Sequence, residues 1–141
     1  MKKIAVVFWS GTGNTEAMAE AVAEGAKNAG AEVSLLDADA FDAGLLDTLD
    51  AVAFGCPAMG AEELESGTFA PMFDTCRAKL GGKRIALFGS YGWGDGEWMR
   101  NWEAECADAG AVFAGDSVIA QETPDDGALA DCRALGAALV A

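Results

Sequence analysis

Short, nearly continuous apolar runs alternate along this chain with segments of helical periodicity. The runs "IAVVFW", "AVAF" and "IALF" lie within three of five predicted strands. Strands that are so uniformly apolar are typical of a parallel sheet covered on both faces. The five predicted strands span residues 3–9, 32–37, 50–56, 84–90 and 111–119. We therefore expect an α/β fold in which helices wrap a five-stranded parallel sheet.

The segments between the strands have the periodicity of amphipathic helices. Predicted helices span residues 15–29, 68–80 and 96–109, and a fourth begins at "TPDD", with Thr123 as its N-cap and Pro124 in its first turn. Residues 37–49 show the weakest pattern, and "LLDTL" there predicts one or two helical turns. Since we find no repeat and no linker, we expect residues 1–141 to form a single domain.

The composition limits the possible partners and the compartment. With 23 acidic and 9 basic residues, the net charge is −14, so nucleic acids and anionic membranes would be repelled and a basic protein attracted. The N-terminal apolar run is read as a first strand rather than a signal peptide. Histidine is absent, and the 4 cysteines are too dispersed for a metal centre. We expect Cys76, Cys106 and Cys132 to be free core thiols and the chain to be cytoplasmic.

Three glycine-containing loops follow the best strands at their carboxyl ends. They are "SGTGNT" (residues 10–15), "PAMGAEELESG" (residues 57–67) and "YGWGDG" (residues 91–96). In parallel sheets of this kind, ligands bind outside the carboxyl ends of the strands. The function is therefore expected to depend on these three loops.

The first loop combines glycines with neutral hydrogen-bond donors at the start of a predicted helix. Gly11 and Gly13 permit a tight turn, and the free amides and dipole of the helix N-terminus attract an anion. A phosphate monoester matches this donor set, while a glycine-rich turn that binds nothing is the simpler alternative. A dinucleotide fingerprint is excluded because Glu16 stands where a third glycine is needed, and no glycine–lysine pair is followed by the hydroxyl residue of a Walker A loop.

The other two loops offer a site for a planar ring. Trp93 stands between two glycines and off any helical stripe, so it is either a stacking platform or a side chain folded back onto the core. Met59 is suited to the opposite ring face because its side chain is flexible and polarizable. Gly60 allows the Gly60–Ala61 peptide to reverse, and Glu62 can accept a hydrogen bond from a ring N–H.

Together the three loops resemble those of the flavodoxins, and the resemblance covers essentially the whole chain. The family's phosphate signature (T/S)-x-T-G-x-T is present at residues 10–15, and "GCPAMG" and "LFGSYGWGDGEWM" look like the short-chain bacterial subgroup. The resemblance implies a three-layer flavodoxin-like fold, with a five-stranded parallel sheet of order 2-1-3-4-5 and helices on both faces. It also implies noncovalently bound FMN, which shuttles between its quinone, semiquinone and hydroquinone states at low potential.

The family's cofactor contacts carry over to matching positions of this sequence. The loop that holds the 5′-phosphate is matched by Ser10, Gly11, Thr12, Gly13, Asn14 and Thr15. The stretch along the ribityl chain and the flavin edge is matched by Pro57 and Ala58. Backbone contacts to the pyrimidine end are matched by Ser90, Tyr91, Gly92 and Gly94. The local "QETPD" also resembles a family stretch near the ribityl chain, which leaves the roles of Gln121 and Glu122 open.

The same resemblance assigns the groups around the flavin ring. Met59 matches the residue on the inner ring face, Trp93 matches the aromatic on the outer face, and Glu62 matches the acceptor for the flavin N3–H. The Gly60–Ala61 peptide matches the one that reverses so that the Gly60 carbonyl faces the flavin N5. Ala61 departs from many short-chain members because it has no polar side chain.

The resulting expectation is a monomeric electron carrier that exchanges electrons with redox proteins and is not an enzyme. The predicted rim is acidic and has no nearby base, which would lower the second reduction potential and attract partners with basic docking surfaces. Its members are Glu62, Glu63, Glu65, Asp95 and Glu97. An FMN-dependent NAD(P)H quinone or nitro reductase and a flavin-storage protein remain the alternatives. The reductase is disfavoured because it would need basic residues for nicotinamide phosphates.

Overall fold

The apolar runs form the central strands of a parallel sheet in the computed structural model, which describes residues 1–141. The strands are β1 (Lys3–Phe8), β2 (Glu32–Asp37), β3 (Ala51–Gly55), β4 (Arg84–Tyr91), β5 (Val112–Phe113) and β6 (Val118–Gln121). Their order is β2-β1-β3-β4-β5, and β6 also pairs with β4. Phe8, Gly55 and Phe88 are in register across β1, β3 and β4. The predicted order is therefore confirmed, and the loops after these three strands meet at one edge of the sheet.

The prediction of one continuous strand over residues 111–119 was wrong. Val112–Phe113 and Val118–Gln121 are separate segments, and both pair with β4 in parallel. Gly115 and Asp116 lie in the gap between the two segments, and both residue types are depleted in strands. The apolar residues on either side of this gap made the segment look continuous in the sequence.

Four α-helices cover the sheet close to their predicted positions. They are α1 (Asn14–Asn28), α2 (Phe69–Arg77), α3 (Glu97–Asp108) and α4 (Asp126–Val140). The weakly patterned segment forms two short 3-10 helices, Ala38–Ala40 and Ala43–Thr48. The predicted N-cap Thr123 and the first-turn position of Pro124 were both wrong. The Asp125 side chain caps α4 by accepting a 2.8 Å hydrogen bond from the Ala128 amide, so Pro124 lies just before the helix.

Two hydrophobic cores lie on opposite faces of the sheet. Alternate residues of β1 point to opposite faces: Ala5 and Val7 pack with α2 and α3, whereas Ile4, Val6 and Phe8 pack with α1 and α4. All four cysteines are buried and free, as was predicted for three of them. None of the helices is both long and apolar enough to cross a membrane.

Candidate functional site

A cavity of about 310 Å³ opens at the carboxyl ends of β1, β3 and β4, between the three glycine-containing loops. It is lined by Trp9, Gly11, Thr12, Asn14, Pro57, Ala58, Met59, Ser90, Tyr91, Gly92 and Glu122. Its volume is at the lower end of the range typical of small-molecule sites. A larger groove of about 510 Å³ lies between α4 and the β5–β6 connection, and none of the predicted site residues lines it.

The first loop presents unpaired amides at the start of α1. The Ser10 Oγ accepts hydrogen bonds from the amides of Gly13 (3.1 Å) and Glu16 (3.2 Å). Gly13 has φ 94°, a left-handed conformation that suits glycine. Within residues 10–15, the amides left without an acceptor in the chain are those of Ser10, Gly11, Thr12, Asn14 and Thr15. Such a group of free donors at the positive end of a helix dipole is suited to an anion.

A buried pair of hydroxyls connects the first loop to β4. The Oγ1 of Thr15 and the Oγ of Ser90 lie 2.8 Å apart, and the Ser90 amide donates to the Thr15 Oγ1 at 3.4 Å. Both residues are buried, with exposed fractions of 1% and 5%. The Thr15 hydroxyl thus lies beneath the loop in this structure, while its amide belongs to the unpaired group described above.

The second loop forms a tight turn with a free central peptide. The Glu62 amide donates to the Met59 carbonyl (2.7 Å), and the Met59 amide donates to the Glu63 carbonyl (2.9 Å). Gly60 and Ala61 are the two central residues of this turn, and neither has a positive φ. The Gly60 carbonyl accepts no hydrogen bond, and a Cβ at Gly60 would meet nothing within 4 Å. The Gly60–Ala61 peptide is therefore not held by a hydrogen bond to the chain, and its reversal stays a prediction.

Glu62 brings a buried, unpaired acceptor to the junction of the second and third loops. Its φ is 52°, and its Oε1 is buried without a hydrogen-bond partner. A Cβ added to Gly94 would lie 2.5 Å from this oxygen, so only glycine fits there without movement. Burial raises the pKa of Glu62, and the nearby Glu97 and Asp95 carboxylates raise it further. An N–H donor from a ligand would relieve the cost of this unpaired oxygen.

Glu65 differs from the other predicted rim residues because its carboxylate binds the start of α2. Its Oε1 accepts from the amides of Thr68 (2.8 Å) and Phe69 (2.7 Å), and its Oε2 accepts from Gly67 (2.7 Å). Burial alone would raise the pKa of Glu65, but these three amides outweigh it and the pKa is lowered. Glu65 therefore contributes to the fold rather than to a free acidic rim.

The rim also contains a base that the sequence analysis missed, and the expectation of no nearby base was wrong. The Arg100 guanidinium donates from Nη1 to the Asp95 carbonyl (3.0 Å) and from Nη2 to the Asp95 Oδ1 (2.9 Å). Arg100 stands five positions after Asp95, across the start of α3. The sequence indicated this ion pair only by the spacing of two opposite charges five positions apart. That spacing does not predict a contact, because one residue lies in a loop and the other in a helix.

The two side chains predicted to flank a planar ring, Met59 and Trp93, lie in different surroundings in the structure. Met59 lines the cavity, whereas Trp93 is 63% exposed and lies outside the lining residues. The alternative in which Trp93 folds back onto the core is therefore wrong. Tyr91 lines the cavity and lies 5.5 Å from the buried Trp98 ring, measured between ring centroids. Trp93 is thus an exposed ring next to Gly92, which lines the cavity.

Two lining residues had no assigned role in the sequence. Trp9 is half-buried, its amide donates to the Gly55 carbonyl (3.0 Å), and its ring lies over Gly11. Its position directly between an apolar strand and the glycine loop was the signal. Glu122, whose role was left open, lines the cavity with φ 58°. Gln121 donates from Nε2 to the Gly92 carbonyl at 3.4 Å.

Comparison with known proteins gives a consistent result over nearly the whole chain. A family model described as Flavodoxin matches residues 6–136. The flavodoxin of Megasphaera elsdenii is 43% identical over 135 residues, covering 96% of each protein. The flavodoxin of Clostridium beijerinckii is 43% identical over 131 residues, covering 93% of this chain and 94% of that protein. The solution structure of two-electron reduced M. elsdenii flavodoxin matches with a TM-score of 0.90 and 42% identity, covering 97% of this chain and 98% of that chain.

Proposed function

The chain belongs to the flavodoxin family, and on this premise we propose that the cavity between its three loops holds FMN. Like the flavodoxins that it resembles, it is an electron-transfer protein rather than an enzyme, and its partners are redox proteins. FMN, when bound noncovalently, supplies low-potential one-electron chemistry. The chain's own residues bind, orient and electrostatically tune this group.

The residues around the cavity fit FMN by the chemistry of their donors and acceptors. The observation that carries the proposal is the group of unpaired amides at the start of α1. These donors would hold an anion without help from a nearby cation in the sequence, because the chain has no lysine or arginine between Lys3 and Lys27. A phosphate would satisfy these amides. Glu62 lies outside the cavity lining, and its unpaired Oε1 would accept a ring N–H from a ligand that extends past the lining. Met59 and Tyr91 offer apolar surface within the lining.

The turn after β3 supports the redox role of the proposed site. The central Gly60–Ala61 peptide makes no hydrogen bond to the chain, so its reversal breaks none. Reversal would present the Gly60 carbonyl as an acceptor for a ring N–H. A bond of this kind is worth a net ~1 kcal/mol, and it would favour whichever redox state carries that N–H.

The acidic rim would lower the second reduction potential of the flavin, but it has fewer unpaired carboxylates than the sequence suggested. The Glu65 carboxylate is hydrogen-bonded to amides at the start of α2, and Asp95 is paired with Arg100. The carboxylates that remain are Glu62, Glu63 and Glu97, and they oppose additional negative charge nearby. We further propose that the same carboxylates attract a basic docking surface, that the protein acts as a monomer, and that its four free thiols reflect a cytoplasmic location.

The proposal is tested by comparing FMN with riboflavin, which lacks the phosphate. Titration of FMN-free protein, followed by quenching of flavin fluorescence, should show tight binding of FMN and binding of riboflavin at least 100-fold weaker, because several charge-assisted bonds worth ~1.5–3 kcal/mol each are lost. Equal affinity for the two flavins would contradict the phosphate assignment, and no binding of either would contradict the site. Steady-state NADH oxidation by the FMN-loaded protein alone would instead favour a reductase.

A further inference from the structure

The loop from Tyr91 to Gly96 has very few hydrogen bonds to the rest of the chain. None of the amides from Gly92 to Gly96 donates to a group of the protein. At its start, the Tyr91 carbonyl accepts from the Glu122 amide (2.7 Å) and the Gly92 carbonyl from Gln121. Between Trp93 and Asp95, the only hydrogen bonds are the two from the Arg100 guanidinium.

Arg100 binds this loop with both its main chain and its side chain. The Arg100 amide donates to the Gly96 carbonyl (3.1 Å) in the first turn of α3. Its two terminal nitrogens hold the Asp95 carbonyl and carboxylate, as described above. Gly94 and Gly96 have φ values of 86° and 93°, so the segment on either side of Asp95 is in a conformation that only glycine adopts easily.

The position of Asp95 fixes what lies directly before it. Gly94 lies against the buried Oε1 of Glu62, and Trp93 precedes Gly94. We propose that Arg100 is a positioning residue for the proposed FMN site: its planar two-pronged contact with Asp95 holds Trp93 and Gly94 in place, and through Gly94 it aligns Glu62. This inference rests on the proposed function.

The exposure of this pair argues against Coulomb attraction as its main contribution. The side chain of Arg100 is 58% exposed and that of Asp95 is 78% exposed, and exposed ion pairs contribute little to stability. A guanidinium fork nevertheless fixes direction in a way that an ammonium cannot. We therefore expect effects of a few-fold on FMN affinity, without general loss of structure.

The charge of Arg100 has a second, separable consequence. Asp95 raises the pKa of Arg100 most, and Glu97 and Glu62 raise it further. Arg100 therefore offsets part of the negative potential that these carboxylates create at the rim. Removing its charge should lower the second one-electron midpoint potential, because the added electron would then meet a more negative surrounding.

The test compares Arg100→Lys, Arg100→Gln and a matched control, Arg77→Gln, in the full chain. Arg77 also forms surface ion pairs, with Asp74 and Glu105, and Arg77→Gln changes the net charge by the same amount as Arg100→Gln. Both Arg100 variants should weaken FMN binding about threefold, since both lose the fork. NMR order parameters of residues 92–95 should fall in both variants in the absence of FMN.

The second midpoint potential should fall only in Arg100→Gln. We expect the one-electron equilibrium constant to change about threefold, which corresponds to about 28 mV. Arg77→Gln should change none of these quantities. Unchanged affinity and loop order in both Arg100 variants would overturn the inference, as would equal effects of Arg77→Gln. Full rescue of affinity by lysine would overturn the positioning role in favour of charge alone. If wild-type protein fails to bind FMN, the proposed function fails instead, and the order parameters still test whether Arg100 holds the loop.

Discussion

The Glu65 side chain shows how a residue next to the site can serve the fold alone. No side chain of α2 caps its own N-terminus, and the Glu65 carboxylate takes this role by accepting from the amides of Gly67, Thr68 and Phe69. A carboxylate at this end of a helix also interacts favourably with the helix dipole. The negative charge of Glu65 is therefore used within the protein.

We predict that Glu65→Ala lowers the free energy of unfolding of FMN-free protein by about 1–2 kcal/mol at pH 7, the usual range for losing a cap. Because the folded-state pKa of Glu65 is lowered from 4.5, its contribution is present above that value and lost as the pH falls through the folded pKa. Urea unfolding at several pH values should show the difference from wild type shrinking below about pH 4.5. Glu63→Ala is the control, since the Glu63 side chain makes no hydrogen bond; an equal loss there would contradict the capping role.

At the residue scale, the sequence was most informative where backbone geometry and residue type coincide. Gly13 was expected in a tight turn and has φ 94°. Met59, Pro57 and Tyr91 were expected at the site and line the cavity. The Arg100–Asp95 contact could not be predicted, because it depends on the path of a loop whose turn has no sequence signature.

At the scale of elements, α1 and α4 approach each other closely through glycines. A Cβ added to Gly136 would lie 2.0 Å from the Val22 carbonyl oxygen, and one added to Gly25 would lie 1.9 Å from the Arg133 carbonyl oxygen. Both obstacles are main-chain atoms, so a rotamer change cannot remove them. These contacts set the distance between the two helices on one face of the sheet, and α1 carries the proposed phosphate amides.

We predict that Gly136→Ala destabilises the protein by about 1–3 kcal/mol, the usual cost of overpacking, despite the higher helix propensity of alanine. Gly127→Ala is the matched control on the same helix, because its Cβ would meet only the Asp125 Oδ1 at 3.4 Å. That change should be neutral or stabilising by up to ~1 kcal/mol. Thermal unfolding of both variants, measured without FMN, checks the pair. Equal stability of the two variants would contradict close helix contact.

Element order and type were predictable because buried strands and amphipathic helices have different periods. The last strand was mispredicted because this signal is missing at its interruption. Apolar residues flank Gly115 and Asp116, so the hydrophobic pattern does not change from that of a strand there. The α4 cap was misassigned because Thr123 and Asp125 are both capping residue types, and only the chain path shows that Asp125 reaches the Ala128 amide.

At the scale of the whole molecule, acidic residues outnumber basic ones by 23 to 9, and most of the basic side chains are bound locally to particular carbonyls or carboxylates. Lys83 donates to the carbonyls of Leu46 and Leu49, and Arg84 donates to that of Ala138. Arg77, Lys79 and Arg100 each pair with carboxylates, as Lys79 does with Asp47. The net charge of −14 therefore remains as an excess of exposed carboxylates, which generates a long-range field at low ionic strength.

This field should make electron transfer depend on the charge of the reaction partner. We predict that oxidation of reduced, FMN-loaded protein by the cation hexaammineruthenium(III) slows several-fold as ionic strength rises from about 0.01 M to 0.5 M, because the screening length falls from about 30 Å to a few ångströms. Oxidation by the anion ferricyanide should accelerate over the same range. Stopped-flow absorbance measures both rates.

If the exposed rim controls the encounter, Glu97→Gln should reduce the salt dependence more than Glu20→Gln on α1, although each removes one charge. Equal effects would show that the total charge, rather than the rim, attracts the partner, and a cation rate that does not change with salt would contradict electrostatic attraction altogether.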